Sequence, residues 1–465
     1  MFGPFPTNNT NSIQLDMLER AFLDSLNPVL AYRNIADQED FPGKIGETLT
    51  KTKAGLMVPN ITPLNPATNT NLDNGLTPTN YGTEQYTLSI AQYAQLAYPI
   101  NLMDDERTIA KFFIRNTENL GIAQASAIDF LARNALYNSY MGGNTVVTAT
   151  LGAPATTVQV NDVRGFQALM VNGNSVPVSI ANPLEVEING NTYNIVGHTV
   201  DVVNVSTALI TGGISGTLTA DANIAVLDGT AGNAILSINS PLIIRPNGRL
   251  STSEIVSSDL LTFDAIQSAV TYLRNNNVMP SASSGLYHCY LEGTSMQQLF
   301  KDPAFQILYR GTTLENEVYK NAYISEGLGV KFYQTTQAPI QTPQPGAAVP
   351  VLQTIRRPIL CGQGALVEPV FTTGVNAVRA RGKIGNFSEG TFDNKSSWGL
   401  MTERAAQGGS YMYVRPPIDA LGQVTTQTSS YIGGFTAPTD SLTNNTVIGT
   451  ASNADFKRAV IIEHA

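Results

Sequence analysis

The chain has 465 residues, room for about three structural units at roughly 150 residues each. It carries 27 Lys+Arg against 36 Asp+Glu, a formal net charge of -9, and only 14% charged residues, where an ordinary soluble domain has roughly 25%. With 42% hydrophobic residues this excludes a disordered chain and a long coiled coil, and the acidic balance argues against a dedicated nucleic-acid binder.

The charge deficit fits a chain that hides surface against copies of itself. Two cysteines, Cys289 and Cys361, are too few for a disulfide framework, which points to synthesis in a reducing compartment. Met1 to Thr10 carries no positive charge and no apolar core follows, so no signal peptide is expected. No apolar run reaches the length of a membrane span. The sequons at Asn60, Asn204 and Asn386 then read as chance products of a chain rich in Asn and Thr.

In chain order, Leu15, Leu18, Phe22 and Leu26 recur at helical spacing within Ile13–Ala36, and Asn27-Pro28 breaks the pattern. Residues 1–42 read as an arm too short to fold alone. Residues 43–100 read as an extended two-stranded loop. Thr48, Thr50 and Thr52 alternate with Leu49, Lys51 and Lys53, and Tyr86, Leu88 and Ile90 mark the return strand. The turn-rich tip between Pro59 and Asn80 has no core of its own. Because an isolated ribbon is marginal in water, a partner surface is expected to support it.

Residues 101–143 predict one long helix. Asp104, Asp105 and Glu106 lie in its first turn, Ile109, Phe112, Phe113, Leu120, Ala127, Phe130 and Leu131 follow a 3.6 period, and Gly142-Gly143 ends it. Unbroken it would span roughly 55 Å, with Gly121 a candidate interruption. Residues 144–246 lack lysine and are rich in Val, Thr, Ile, Asn and Gly. Leu184–Ile188, Asn189-Gly190 and Asn191–Val196 predict a hairpin. This region reads as an all-β domain inserted into a mixed host.

The host resumes over 247–465. A helix starts at Phe263 behind a Thr262 cap, and a strand covers Gly285–Leu291. Thr294 and Gln297 suggest a capping box for a helix over Ser295–Lys301. Asp302-Pro303 opens another helical turn through Tyr309, closed by Gly311. Strands are expected over Val330–Thr335, Leu352–Leu360, Ala365–Phe371 and Phe456–Glu463, the last pairing with the body.

Catalytic signatures are poor. The three histidines are His198, His288 and His464, and a strand would send His288 and Cys289 to opposite faces. Gly362-Gln363-Gly364 lacks the third glycine of a dinucleotide fingerprint. Glu185 and Glu187 share one face of a hairpin and read as solvated. Arg379, Arg381 and Lys383, followed by Glu389 and Asp393, fit a subunit-contact strand better than a nucleic-acid site. Lone Trp398 reads as packing. No catalytic, cofactor-binding or metal-binding residues are assigned, and no cofactor is expected.

The order of parts resembles the major capsid (coat) proteins of tailed double-stranded-DNA bacteriophages. The stretch Phe263-Asp264-Ala265-Ile266 through Leu273-Arg274-Asn275, with Tyr287-His288-Cys289-Tyr290-Leu291, is similar to the start of that family's axial domain. Lys301-Asp302-Pro303-Ala304-Phe305, Tyr323-Ile324-Ser325-Glu326-Gly327-Leu328-Gly329-Val330 and the closing Phe456–Ala465 continue the likeness. The resemblance implies an α+β fold: N-terminal arm, extended β loop, long spine helix, peripheral and axial domains, and here an all-β insertion domain.

It also implies pentamers and hexamers of an icosahedral capsid around DNA, touched only weakly and non-specifically, in a virion assembled from subunits made in the bacterial cytoplasm. A separate scaffolding protein, a portal and a decoration protein are the implied partners, with no membrane and no catalysis. Some relatives cross-link a loop lysine to a neighbour's asparagine, for which Lys44, Lys51 and Lys53 with Asn386 or Asn394 are formal candidates. The rival readings are a β-rich tail fibre or surface adhesin binding a glycan or receptor, and a carbohydrate hydrolase relying on Glu185 and Glu187.

Overall fold

A computed structural model describes residues 31–41, 46–54, 61, 83–101, 112–171, 174–189, 191–201, 215–237, 243–249, 254–310, 326–327, 329–343, 352–371, 399–400, 410–415, 424–438, 440–444, 447–450 and 458–465. The helical pattern over 13–30, nearly all of the 59–80 tip, the acidic start Asp104–Glu106 and Gly311 lie outside them. The architecture is α+β, and the chain divides into two compact units.

The first unit draws on residues 1–49, 88–135 and 366–436. A short 3-10 turn, Tyr32–Ile35, leads into the strand Ala36–Asp40, which runs parallel to Leu366–Val370 with Gln38 opposite Glu368. A second sheet orders Gly399–Leu400, Ser410–Arg415, Val424–Gly433 and Ala91–Leu96, with Ile100–Asn101 also on the Val424–Gly433 strand. Ala91–Leu96 was expected to belong to the ribbon; its pairing with Thr428–Gly433 makes it part of this sheet instead.

Helix α1, Phe112–Tyr140, crosses Gly121 without a break. Its buried positions Thr117, Leu120, Gln124, Ala125, Ile128, Asp129 and Ala132 follow the helical period, so packing on both sides of Gly121 outweighs the ~1 kcal/mol a glycine costs in a helix. Asp129 Oδ1 accepts the backbone N–H groups of Ala31, Tyr32 and Arg33 at 2.9, 2.7 and 3.4 Å. Arg33 in turn donates from Nε and Nη2 to both oxygens of buried Glu368, each at 2.9 Å, and the Tyr431 hydroxyl donates to Glu368 Oε1 at 2.9 Å.

The second unit draws on residues 50–87, 136–365 and 437–465. One six-stranded sheet orders Asn144–Val146, Ala234–Ser237, Leu184–Ile188, Asn191–Val200, Gly216–Ile224 and Ala155–Val160, all pairings antiparallel. In Leu184–Ile188 the alternation is strict: Leu184, Val186 and Ile188 enter a core with Val158, Ile195, Leu218 and Ile235, while Glu185 and Glu187 face out. Asn189 turns the hairpin at φ 51°, as an Asn-Gly turn requires.

This sheet has a single root. The Ser237 N–H donates to Gly143 O at 3.0 Å, so entry and exit of the insertion are adjacent. Gly165, at φ +82°, lies against that root; a Cβ there would stand 2.1 Å from Gly143 N, so only glycine fits. Beside it Arg164 closes a buried fork on Asp162, with Nη2–Oδ2 at 2.7 Å. The insertion was expected to run to 246, but Ile243–Ile244 pairs with Ala459–Ile462 and belongs to the next sheet.

That second sheet orders Ile243–Ile244, Ala459–Ile462, Ile359–Cys361, Tyr287–Leu291, Val330–Gln334 and Glu326–Gly327. Helix α2, Phe263–Asn275, is capped by Thr262 Oγ1 on Ala265 N, and packs Ile266, Ala269, Val270 and Leu273 into a core with Cys289, Leu291, Phe332, Leu360, Val460 and Ile462. Helix α3, Gly293–Lys301, begins at Glu292, two residues before the expected capping box, and no side chain caps it. The Glu292 carboxylate is drawn instead to Arg356 Nε. Helix α4, Pro303–Arg310, follows. The strand expected over Leu352–Leu360 is split into Ile355–Arg356 and Ile359–Cys361 around Arg357-Pro358, where proline lacks a ladder donor.

The closing strand is held by buried charge. Glu463 accepts from Arg245 Nε at 2.7 Å and from Arg357 Nε at 2.9 Å, and Arg357 Nη2 continues to Gln341 Oε1. Burial alone would raise the Glu463 carboxyl, but Arg245 and Arg357 outweigh it and hold the group at about 2. Its stabilising contribution is therefore complete above its ordinary value of 4.5 and is lost as pH falls toward 2.

Glu463→Gln leaves two buried guanidinium groups without their counter-charge and should destabilise the chain by roughly 3–5 kcal/mol in denaturant titration at pH 7, with a smaller deficit near pH 3. Replacing residues 144–236 by a short Gly-Ser linker should leave a cooperatively melting body in calorimetry; a non-cooperative, unfolded product would show that the insertion is part of the host core.

Candidate assembly edges

A strand edge exposes a row of unpaired backbone N–H and C=O groups, which soluble proteins usually protect with charge, proline or a bulge. Among the described residues Ala91–Leu96 ends its sheet, all six residues are exposed, and its sequence Ala-Gln-Tyr-Ala-Gln-Leu holds no charge or proline. Leu96 is 53% exposed and Tyr98 just beyond it 86%. Tyr93 stacks on Tyr431 at 6.2 Å, and Gln92 Nε2 donates to Ser430 Oγ, which fixes the strand in place.

Thr48–Ala54 and Thr83–Ser89 form a separate two-stranded sheet. The expectation that this ribbon lacks support in a single chain holds only in part. Tyr86 and Leu88 are already buried, while Thr48, Thr50 and Thr52 are exposed. Alternation along the return strand thus seats its apolar face within the chain and leaves the threonine strand open.

The nominated chemistry does not converge. His288 and Cys289 do point to opposite faces: Cys289 enters the α2 core, whereas His288 accepts or donates at Ser284 Oγ, 2.9 Å, and packs at 5.0 Å on Tyr333. Burial, with Lys331 adding to it, pushes His288 down to about 4. His464 meets Ser295 Oγ at 2.9 Å and is pushed by burial to about 4, but both side chains are fully buried, so the pair fastens the chain end. His198 is half-buried in the insertion, its pKa lowered by burial.

Glu185 and Glu187 oppose Asn194 and Thr192 on an exposed face. Gly362-Gln363-Gly364 is a turn after Ile359–Cys361, with Gly364 at φ +74°. Arg379, Arg381, Lys383, Glu389, Asp393, Trp398, Lys44, Asn386 and Asn394 lie outside the described residues; Lys51 and Lys53 lie on the ribbon.

An open cleft of about 810 Å3 lies at the start of α2, but its Asp302 carboxylate caps two helices, accepting from Phe263 N at 2.6 Å and Ala304 N at 3.0 Å. Among the described residues no group of three His, Cys, Asp or Glu is placed to hold a metal, and no helix is long and apolar enough to cross a membrane.

The residues that sequence reading missed are Asp129, Arg33, Glu368, Tyr431, Arg357 and Glu463. One signal was available for two of them: Glu368 and Glu463 each adjoin an unbroken apolar stretch, Leu366-Val367 and Val460-Ile461-Ile462. In a chain with so few charges, a carboxylate in that setting implies a buried cation nearby.

No family model matches the chain, and no curated protein matches it. Among solved structures it is similar to the capsid of Ralstonia phage GP4, at 11% identity over 92% of this chain and 87% of that one, with a TM-score of 0.45. It is similar to the capsid of cyanophage P-SCSP1u at 10% identity over 94% and 88%, TM-score 0.45. For the capsid asymmetric unit of cyanophage Pam1 the values are 10%, 95% and 92%, with a TM-score of 0.46.

Both cysteines are free and buried; burial pushes Cys289 up to about 12 and Cys361 well above its ordinary value. Neither thiol should react with a thiolate-selective alkylating reagent at pH 8 in the native chain, and both should react within minutes in denaturant. Fast native labelling would place them outside the core.

Proposed function

We propose that the chain is a structural subunit that assembles with copies of itself into the pentamers and hexamers of an icosahedral capsid enclosing double-stranded DNA, and that its role involves no catalysis. The observation that carries this reading is the Ala91–Leu96 strand, six exposed residues without a charge at the end of its sheet among the described residues, together with a two-stranded ribbon whose threonine strand is open. A monomer would carry these as aggregation liabilities; in a shell, neighbouring copies cover them. Low charge agrees with extensive contacts between copies, and a net charge of -9 lets packaged DNA slide over the inner surface.

On this reading the ribbon lies over a neighbour, α1 is the spine of a peripheral domain, and α2 with the sheet closed by Ala459–Ile462 forms the axial domain. The insertion, attached by one root, braces neighbours or receives a decoration protein on the outer surface. A separate scaffolding protein and a portal complete the assembly, and the subunit, made in the host cytoplasm, resides in the virion.

Negative-stain electron microscopy of the purified full chain, alone and co-expressed with a scaffolding protein, tests the proposal. Rings of five and six or closed shells are expected. Discrete monomers or trimers under both conditions would overturn it in favour of a fibre or adhesin. The pair Leu96→Glu and Tyr98→Glu should change monomer stability by no more than about 0.5 kcal/mol yet sharply reduce particle yield.

A further inference from the structure

Asp129 is unlike the other buried carboxylates of its unit. Glu368 has a guanidinium fork and a tyrosine hydroxyl. Asp129, fully buried, receives only backbone N–H groups, three of them, all on Oδ1; Oδ2 is buried and accepts no hydrogen bond among the described residues. The donors all come from one short piece of chain, Ala31 to Arg33, which enters the Ala36–Asp40 strand through the Tyr32–Ile35 turn. Asp129 is thus a hook on α1 by which that turn is held, and its Oδ2 is buried with no hydrogen-bond donor among the described residues.

We propose that Asp129 is a proton-operated latch: with a proton on Oδ2 the Ala31–Ile35 turn is held firmly on α1, and loss of that proton loosens the turn and the strand that follows it. Proton balance is simple, since the proton exchanges with water when the turn opens and returns to Oδ2 when it closes. Oδ1 takes its three N–H donors from the turn when the turn is closed.

Among the described residues, the charged groups facing the latch come from α1 and from the docked turn. On α1 itself Arg133 is one turn away, but its guanidinium lies over the Phe130 ring at 4.4 Å and bonds to Asn134. On the docked turn Arg33 is committed to Glu368 of Leu366–Val370, which also takes the Tyr431 hydroxyl from Val424–Gly433. Burial therefore dominates and raises Asp129 to about 6 from 3.8, against the lowering effect of the amides of Ala31, Tyr32 and Arg33 and the charge of Arg133. Opening the turn admits water and lets the carboxyl return toward 3.8. A value raised in the closed state stabilises closure fully below about 4, and that contribution is lost as pH rises through 6. The rise from 3.8 to about 6 sets a ceiling of about 100-fold on the closing equilibrium.

Chain-wide stability moves the other way. His288 and His464, both held near 4, make the folded chain less stable as pH falls below 6.5. Hydrogen exchange of the full chain, read by mass spectrometry on peptides spanning 31–41 and corrected for intrinsic rates, separates the two effects. Protection of these peptides should be about 10-fold greater at pH 5 than at pH 7.5, while peptides from the α2 core show no such gain. Asp129→Asn, isosteric and without a titrating proton, should abolish the pH dependence at 31–41; Glu368→Gln should retain it. The latch is overturned by wild-type protection that is flat or falls in acid, by a slope that survives Asp129→Asn, or by one that vanishes only in Glu368→Gln.

Discussion

Two arginines on one buried carboxylate hold the second unit shut. Glu463 follows the closing strand, Arg245 follows the strand Ile243–Ile244 beside it, and Arg357 precedes Ile359–Cys361 on its other side. The three side chains therefore bridge three adjacent strands drawn from residues about a hundred to two hundred positions apart. Taking these charges out of water is expensive, and the arrangement persists only because each donor finds an acceptor, with Gln341 taking a further Arg357 N–H. A strand added last in sequence is thereby locked into the middle of a sheet: Val460 and Ile462 complete the core under α2, and Ala465 N reaches Asp259 O.

The same solution recurs. Arg33 and Glu368 fasten a parallel strand pair in the first unit, and Arg164 with Asp162 stiffens the root of the insertion. A parallel pair cannot be joined by a short turn, so Ala36–Asp40 depends on a specific side-chain contact to find Leu366–Val370. Bidentate arginine geometry suits that task because it fixes register as well as proximity. Several charges are thus placed inside as staples, and Ala91–Leu96 carries none.

Local rules account for what was legible in the sequence. The Asn189-Gly190 hairpin, the Thr262 cap, the Pro303 start and the period of α1 each depend on residues within one or two turns of each other, and the α+β class follows from their alternation. The misreadings share one cause. The Thr294–Gln297 box fails because Arg356, distant in sequence, claims Glu292 and the helix starts earlier. Gly121 fails to break α1 because burial on both sides outweighs propensity. Ala91–Leu96 looks like ribbon from its alternation, yet its partner lies more than three hundred residues away. The arginine–carboxylate pairs are invisible to any periodicity, since nothing local says which guanidinium a carboxylate will meet.

The distribution of stiffness follows from these placements. Where the described residues show apolar alternation or a buried ion pair, as in the insertion sheet and around Glu463, the packing is made within a single copy. The bare strand Ala91–Leu96 and the exposed threonines of Thr48–Ala54 have neither. Ala91–Leu96 is ordered by its ladder with Thr428–Gly433 on one side, and fixing it there costs roughly 1–2 kcal/mol of backbone entropy per residue. Main-chain pairing and apolar contact with another surface would cover its outer side. On the proposed reading, a closed lattice brings every copy the same surface of its neighbour, and the Ala91–Leu96 edge is paired throughout. An edge that would be a defect in a monomer is consistent with a subunit whose folding is finished only by its neighbours.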